Sequence, residues 1–116
     1  MAESDCVFCK IVRRELSSRV VFENNKIIAF EDSNPQGPVH LLIIPKNHIE
    51  KISDLTDDNA CLIGELILTA KMLACRQGIS DTGYRIVLNC GKDAGQEVLH
   101  LHLHLLGGRS FTWPPG

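Results

Sequence analysis

The sequence predicts an α+β domain: five strands in one antiparallel sheet, one face covered by a long helix, with a short helix at the N-terminus. Three observations carry this. Leu99–Leu106 reads Leu-His-Leu-His-Leu-His-Leu-Leu, a strict period of two that belongs to a strand. Leu62, Ile63, Leu66, Ile67, Ala70, Leu73 and Ala74 instead recur at the spacing of an amphipathic helix. The segments run helix, three strands, long helix, two strands, and strands joined by short loops pair antiparallel. Residues 1–116 suit a single domain, which buries roughly two-thirds of its unfolded surface and needs no staples to fold.

The elements follow in chain order. Asp5 is a helix cap; Val7, Phe8, Ile11 and Val12 recur at helical spacing, and Arg13-Arg14 close the helix at the negative end of its dipole. Arg19–Glu23 and Lys26–Asp32 are strands joined at Asn24-Asn25, a hairpin turn signal. Ser33–Pro38 is dense in turn residues. Val39–Ile44 carries apolar residues on both faces and is therefore central, and Pro45 ends its pairing. Lys46–Leu55 is a connection. Thr56, backed by Asp57 and Asp58, caps the long helix, and Gly78 fits the position just past its end. Tyr84–Cys90 is the fourth strand and Glu97–Leu106 the fifth, joined by the glycine-bearing loop Gly91–Gln96. Gly107-Gly108 ends the last strand, and Pro114-Pro115 bars regular structure from the tail.

Composition narrows the function. A net charge of -2 gives no electrostatic case for nucleic acid or membrane as partner. The longest unbroken apolar run, Leu41–Ile44, is far too short to span a bilayer, and Met1–Asp5 has no signal pattern, so the expected compartment is the cytosol. Five cysteines, an odd number, read there as thiols or metal ligands rather than disulfides. Cys61 and Cys75 fall inside the helical pattern and read as small buried hydrophobes.

The chemistry concentrates on the last strand. His100, His102 and His104 project from one face, roughly 6.6 Å apart, while the leucines between them line the other. First to last they span roughly 13 Å, too wide for one ion without help from other segments. The middle residue, His102, has an imidazole on each side and suits a nucleophile that forms a covalent intermediate. Gly91–Gln96 overhangs the histidine end, where its backbone N–H groups, with Asn89 and Gln96 as neutral donors, suit an anion. His40 shares a face with Leu42 and Ile44. Asp32 ends the second strand, where spacing alone reads it as turn chemistry. Cys6 and Cys9 form a C-x2-C pair, half of a zinc site, without the strand–motif–helix context of a redox centre, so no redox cofactor is expected.

His100-Leu101-His102-Leu103-His104-Leu105-Leu106 resembles the signature of the histidine triad (HIT) superfamily. Phe8-x-x-Ile11, Ser33-x-Pro35-Gln36-x-Pro38-x-His40, Ile44-Pro45-Lys46-x-His48, Gly95-Gln96, Gly107-Gly108-Arg109 and Trp113-Pro114-Pro115-Gly116 look like its Hint branch. The resemblance implies cleavage of purine nucleoside phosphoramidates through a nucleotidyl-histidine, with His102 as nucleophile, His104 on the phosphate, and His40 and His100 in support. It implies that Asp32 binds the ribose hydroxyls, that Phe8, Ile11, Leu16 and Ser33 wall the base, and that Asn89, Gly95, Gln96 and Val98 surround the phosphate. Glu97 stands where a serine near the leaving group is usual, and Glu31 where a histidine lies by the base. The alternatives are a dinucleoside polyphosphate hydrolase or a regulatory nucleotide-binding protein with incidental catalysis. The resemblance also implies a homodimer with one continuous sheet, Trp113 crossing to the partner's site, and a structural zinc held by Cys6, Cys9, His48 and His100.

Overall fold

The computed structural model describes residues 3–116. A 3-10 turn, Glu3–Asp5, leads into α1 (Val7–Val12). The cap lies one residue beyond the expected Asp5: Cys6 is extended, and its Sγ accepts the Cys9 N–H. A sulfur acceptor stands outside the oxygen-based capping rule, which is why Asp5 looked the better choice.

Five strands follow the expected order: β1 (Val20–Glu23), β2 (Ile27–Glu31), β3 (Val39–Pro45), β4 (Tyr84–Val87) and β5 (Leu103–Gly107). They form one antiparallel sheet in the order β1-β2-β3-β5-β4, with β3 central as expected. Two strands are shorter than the alternation implies. β4 stops at Val87 rather than Cys90, and β5 starts at Leu103 rather than Glu97.

The early limit of β5 has its cause in β3. His40 C=O and Lys46 N–H both bond toward β2, so the odd residues of β3 direct their polar groups toward β5. Pro45 is odd and has no N–H, so its pairing with β5 ends there, although it still lies opposite Ile27 on β2. Its free carbonyl accepts the His100 imidazole at 2.8 Å, and Leu101 N–H turns to the Ile49 carbonyl.

The long helix α2 (Ala60–Arg76) is preceded by a 3-10 turn, Asp57–Asn59. Thr56 caps that turn rather than α2 itself, its N–H donating to Asn59 Oδ1 at 2.9 Å. Gly78, with φ +74°, ends the helix where expected. Leu66, Thr69, Ala70, Leu73 and Ala74 are its buried face. Ile67 sits on the edge of that face and is exposed. Cys61 and Cys75 are exposed too, against expectation. At 100° per residue they project from the side opposite Leu66 and Leu73, so membership of a helix did not imply membership of its stripe.

The sheet separates two apolar clusters. Ile27, Ala29, Leu41, Ile43, Leu101, Leu103 and Leu105 pack against α2. On the opposite face Ile28, Phe30, Leu42 and Ile44 pack against Cys6, Phe8, Cys9 and Ile11 of the N-terminal segment. Among the described residues, no helix is long and apolar enough to cross a membrane.

Gly107 pairs with both Val39 and Tyr84, and a Cβ there would lie 2.5 Å from Ile79 Cδ1. Ile79 follows the α2 cap and is buried, so it has little room to yield. Gly107→Ala is expected to lower unfolding stability by about 1–3 kcal/mol in urea melts, the usual effect of overpacking; an unchanged midpoint would show that Ile79 repacks freely.

Candidate functional site

The second face of the sheet opens into a cavity of about 1010 Å³. Parity builds it: β3 contributes His40 and Leu42, the turn into β5 contributes His102, and β5 itself contributes His104. Phe8, Ile11, Leu16 and Phe30 form an apolar wall. Asp32, Ser33, Asn89, Gly95, Glu97 and Val98 complete its lining. The structure therefore brings together most of the residues singled out in the sequence.

Three of the residues expected at the nucleotide do not line it: His100, which is fully buried, Gln96 and Trp113. Gln96 is buried, and its side chain is occupied elsewhere: Oε1 accepts the Gly91 N–H, and Nε2 donates to the Glu50 and Val98 carbonyls. It braces the 91–96 loop rather than facing the cavity. Trp113 is 82% exposed. Conversely, Val7, Ser17, Ser18, Arg19, Phe30 and Leu42 line the cavity without having been singled out. The face shared by Phe30, Leu42 and His40 was readable from strand alternation; nothing in Ser17–Arg19 marks it as a wall.

Backbone contacts fix the proton positions of the two inner histidines. His102 Nδ1 lies 2.7 Å from the His100 carbonyl, which can only accept. His102 therefore carries its proton on Nδ1, and its neutral form has a bare Nε2. His100 donates from Nε2 to the Pro45 carbonyl, which leaves Nδ1 bare. Burial holds the pKa of His102 below the ordinary imidazole value, against the opposing pull of the His100 carbonyl and Asp32. Burial likewise drives His104 down to about 4, helped by the nearby His102 and His40. Phe8 packs edge-on against His102 at 5.1 Å and contributes to that dry environment.

His40 Nε2 lies 2.9 Å from His104 Nδ1 and 3.4 Å from Asp32 Oδ2. Three such atoms could hold a cation by proximity. However, Gln36 N–H donates to His40 Nδ1 at 3.0 Å, so the proton of neutral His40 sits on Nε2 and blocks that ligand position. Burial also lowers the pKa of His40, so it is a neutral imidazole rather than an imidazolium that approaches the Asp32 carboxylate at 3.4 Å. The cluster is a hydrogen-bond chain.

A second cluster lies behind the cavity. Cys9 Sγ is 3.3 Å from His48 Nδ1 and 3.5 Å from His100 Nδ1, and Cys6 Sγ is 3.4 Å from His100 Nδ1. All four donor atoms lie within 4.8 Å of one another. Metal bonds of 2.0–2.3 Å in a tetrahedron place donors roughly 3.3–3.8 Å apart, so the set is compatible with a metal site. Burial and the neighbouring Cys6 push the metal-free Cys9 thiol up to about 11, a cost that a cation at the centre would remove.

The family model described as HIT domain matches residues 13–111. A HIT-like protein of Synechocystis sp. is 50% identical over 116 residues, with 100% of each chain covered. The adenylylsulfatase HINT1 of Arabidopsis thaliana is 44% identical over 117 residues, covering 99% of this chain and 79% of that one. The crystal structure of a HIT family hydrolase from Legionella pneumophila superposes with a TM-score of 0.95 at 54% identity, covering 97% of this chain and 100% of the other.

The lowered imidazoles set a pH dependence of stability. The folded His104 titrates near 4 and an unfolded histidine near 6.5, so between those values the unfolded chain binds more protons. This contribution is complete above about pH 7 and is lost as pH falls from 6.5 toward 4. Urea midpoints measured across that range should fall on acidification, and less steeply in His104→Asn. A midpoint that rises on acidification would contradict the burial argument.

Proposed function

The chain belongs to the HIT domain family, and on that premise we propose that it hydrolyses the P–N bond of purine nucleoside phosphoramidates through a nucleotidyl-histidine intermediate at His102. The observation that carries this is the bare Nε2 of His102 in the cavity, with Nδ1–H tied to the His100 carbonyl. A buried neutral imidazole in that tautomer is a ready nucleophile at neutral pH.

The reaction balances as follows. His102 Nε2 attacks the α-phosphorus, the P–N bond breaks, and the departing nitrogen takes a proton drawn from solvent and leaves as an amine. Water then attacks phosphorus and returns a proton to solvent, the P–Nε2 bond breaks, and the nucleoside monophosphate leaves. His104 donates to a phosphate oxygen, and main-chain groups of Gly95 and Val98 with the Asn89 amide complete a cradle of neutral donors. Asp32 Oδ1 accepts the Asn34 N–H, and its remaining lone pairs serve the ribose hydroxyls. Phe8, Ile11, Leu16 and Phe30 enclose the base.

A second reading comes from the relative named an adenylylsulfatase, in which sulfate would leave the adenylyl group. Glu97 weighs against it here. A carboxylate on the leaving-group side repels a sulfate anion and favours an amine that departs with a proton.

The Cys6, Cys9, His48 and His100 set fits zinc in donor type and number. Zinc there would supply a structural cross-link between α1 and the sheet, steadying Phe8 and Ile11 on the base wall. With Nδ1 given to that centre and Nε2 to Pro45, His100 orients His102 through its carbonyl and carries no proton in the reaction.

A homodimer completes the proposal. β4 is a short edge strand with a half-open Tyr84, and an unpaired edge invites pairing with a second copy. The exposed Trp113 is free to reach the partner's cavity. The cytosol, where thiols stay reduced, is the fitting compartment.

His102→Ala is expected to abolish turnover of adenosine phosphoramidate while leaving nucleotide affinity within about tenfold, or about 1.4 kcal/mol. Substantial residual hydrolysis would end the assignment, and faster turnover of adenylyl sulfate than of the phosphoramidate by the wild type would favour the second reading. Elemental analysis should find about one zinc per chain, and Cys9→Ser should lose it. Metal below about a tenth of an equivalent in protein purified without chelator would rule zinc out as a structural element.

A further inference from the structure

Arg109 lies outside the cavity yet holds the loop that frames it. We propose that Arg109 is a positioning residue: by gripping the Gln36 backbone it sets the tautomers of His40 and His104, so that His104 turns an N–H donor toward the substrate. The proposal rests on the reading of His104 as the phosphate contact.

The contacts form an unbroken chain. Arg109 Nε donates to the Gln36 carbonyl at 2.8 Å, and its Nη1 donates to the Ser110 carbonyl at 3.0 Å. The guanidinium also lies over the Phe111 ring, 4.2 Å from its centre. An arginine whose fork is spent on two main-chain carbonyls and a ring positions backbone rather than neutralising charge. At its other end the same Gln36 backbone donates N–H to His40 Nδ1 at 3.0 Å. A ring nitrogen that accepts carries no proton, so the proton of His40 is on Nε2. His104 Nδ1, 2.9 Å away, then accepts and is itself bare. The proton of His104 is therefore on Nε2. Asp32 Oδ2, 3.4 Å from His40 Nε2, favours the same arrangement.

The glycines before Arg109 show how closely the 33–38 loop is pressed against it. A Cβ on Gly108 would lie 2.8 Å from Pro38 Cβ, and one on Gly37 would lie 3.3 Å from the Gly107 carbonyl. This gives the Gly107-Gly108-Arg109 motif a role: the glycines admit the loop and the arginine fixes its backbone. If Gln36 drifts, His40 is free to move its proton to Nδ1. Its Nε2 would then accept from His104 Nδ1–H, and His104 would face a phosphate with a bare lone pair. The whole chain inverts, and a donor becomes a repulsive acceptor.

The test is histidine 15N NMR on zinc-supplemented, full-length protein at pH 7, read beside adenosine phosphoramidate turnover. In the wild type, both His40 and His104 should show protonated Nε2 and unprotonated Nδ1. Arg109→Ala should shift both toward a mixed population and lower kcat/KM roughly tenfold, less than the loss of a whole oxyanion donor. Gln36→Ala keeps the backbone N–H and should keep the wild-type nitrogen pattern, whereas Gln36→Pro removes that N–H and should reproduce the Arg109→Ala pattern. A wild-type His104 protonated on Nδ1, or an Arg109→Ala variant with the wild-type pattern, overturns the proposal. A wild type that shows the expected pattern and response to substitution but no phosphoramidate turnover supports the positioning role and defeats only the functional reading.

Discussion

The pairing of β3 with β5 is the constraint on which the rest of the molecule depends. Its register sets His40 opposite Leu106, Leu42 opposite His104 and Ile43 opposite Leu103. In that register Leu101, Leu103 and Leu105 face α2, while His102 and His104 face the cavity with His40 and Leu42. A slip of one residue would send the histidines into the helix-facing core and the leucines into the cavity. The apolar cost of that slip makes the register, and therefore the site, a product of the same leucines that stabilise the fold. Pro45 then limits the pairing, and its carbonyl is left over to receive His100.

From that point the site is governed by neutral hydrogen bonds rather than by charge. The carbonyls of Pro45 and His100 can only accept, so they dictate which nitrogen of His100 and of His102 holds the proton. Gln36 N–H can only donate, so it leaves His40 Nδ1 bare and its proton on Nε2, the tautomer of His100 and the reverse of that of His102. Burial holds these imidazoles below their ordinary pKa values, which keeps them neutral at physiological pH. The anionic substrate proposed here would thus meet oriented donors and one bare imidazole nitrogen. His100 joins this site to the cysteine cluster: its carbonyl orients His102, while its Nδ1 faces Cys6 and Cys9.

Much of this was legible in the residues, because period-two and 3.6-residue patterns report which face is buried. The sheet, the central place of Val39–Ile44, the long helix and the cavity-facing His102 and His104 all follow from that. Strand ends were less legible, since a strand stops where its partner stops offering N–H groups, and alternation within Glu97–Leu106 carries no record of Pro45 in a distant segment. Cys61 and Cys75 show the complementary failure: apolar character in a helix does not say which side a residue takes. Gln96 carried the right chemistry in the right loop, but its carboxamide is taken up by the Gly91 N–H and by the Glu50 and Val98 carbonyls. The convergence of Cys6, Cys9, His48 and His100 required the resemblance to a family, because spacing supplied only the first two.

The central claim is that His102 Nε2 is the atom that takes the nucleotidyl group. The most direct measurement is rapid-quench mass spectrometry after mixing the protein with adenosine phosphoramidate, followed by peptide mapping under conditions that spare phosphorus–nitrogen bonds. The account predicts a transient adduct of one adenylyl group on the peptide containing His102. An adduct confined to any other residue, or turnover in the absence of an adduct at every quench time, would contradict it.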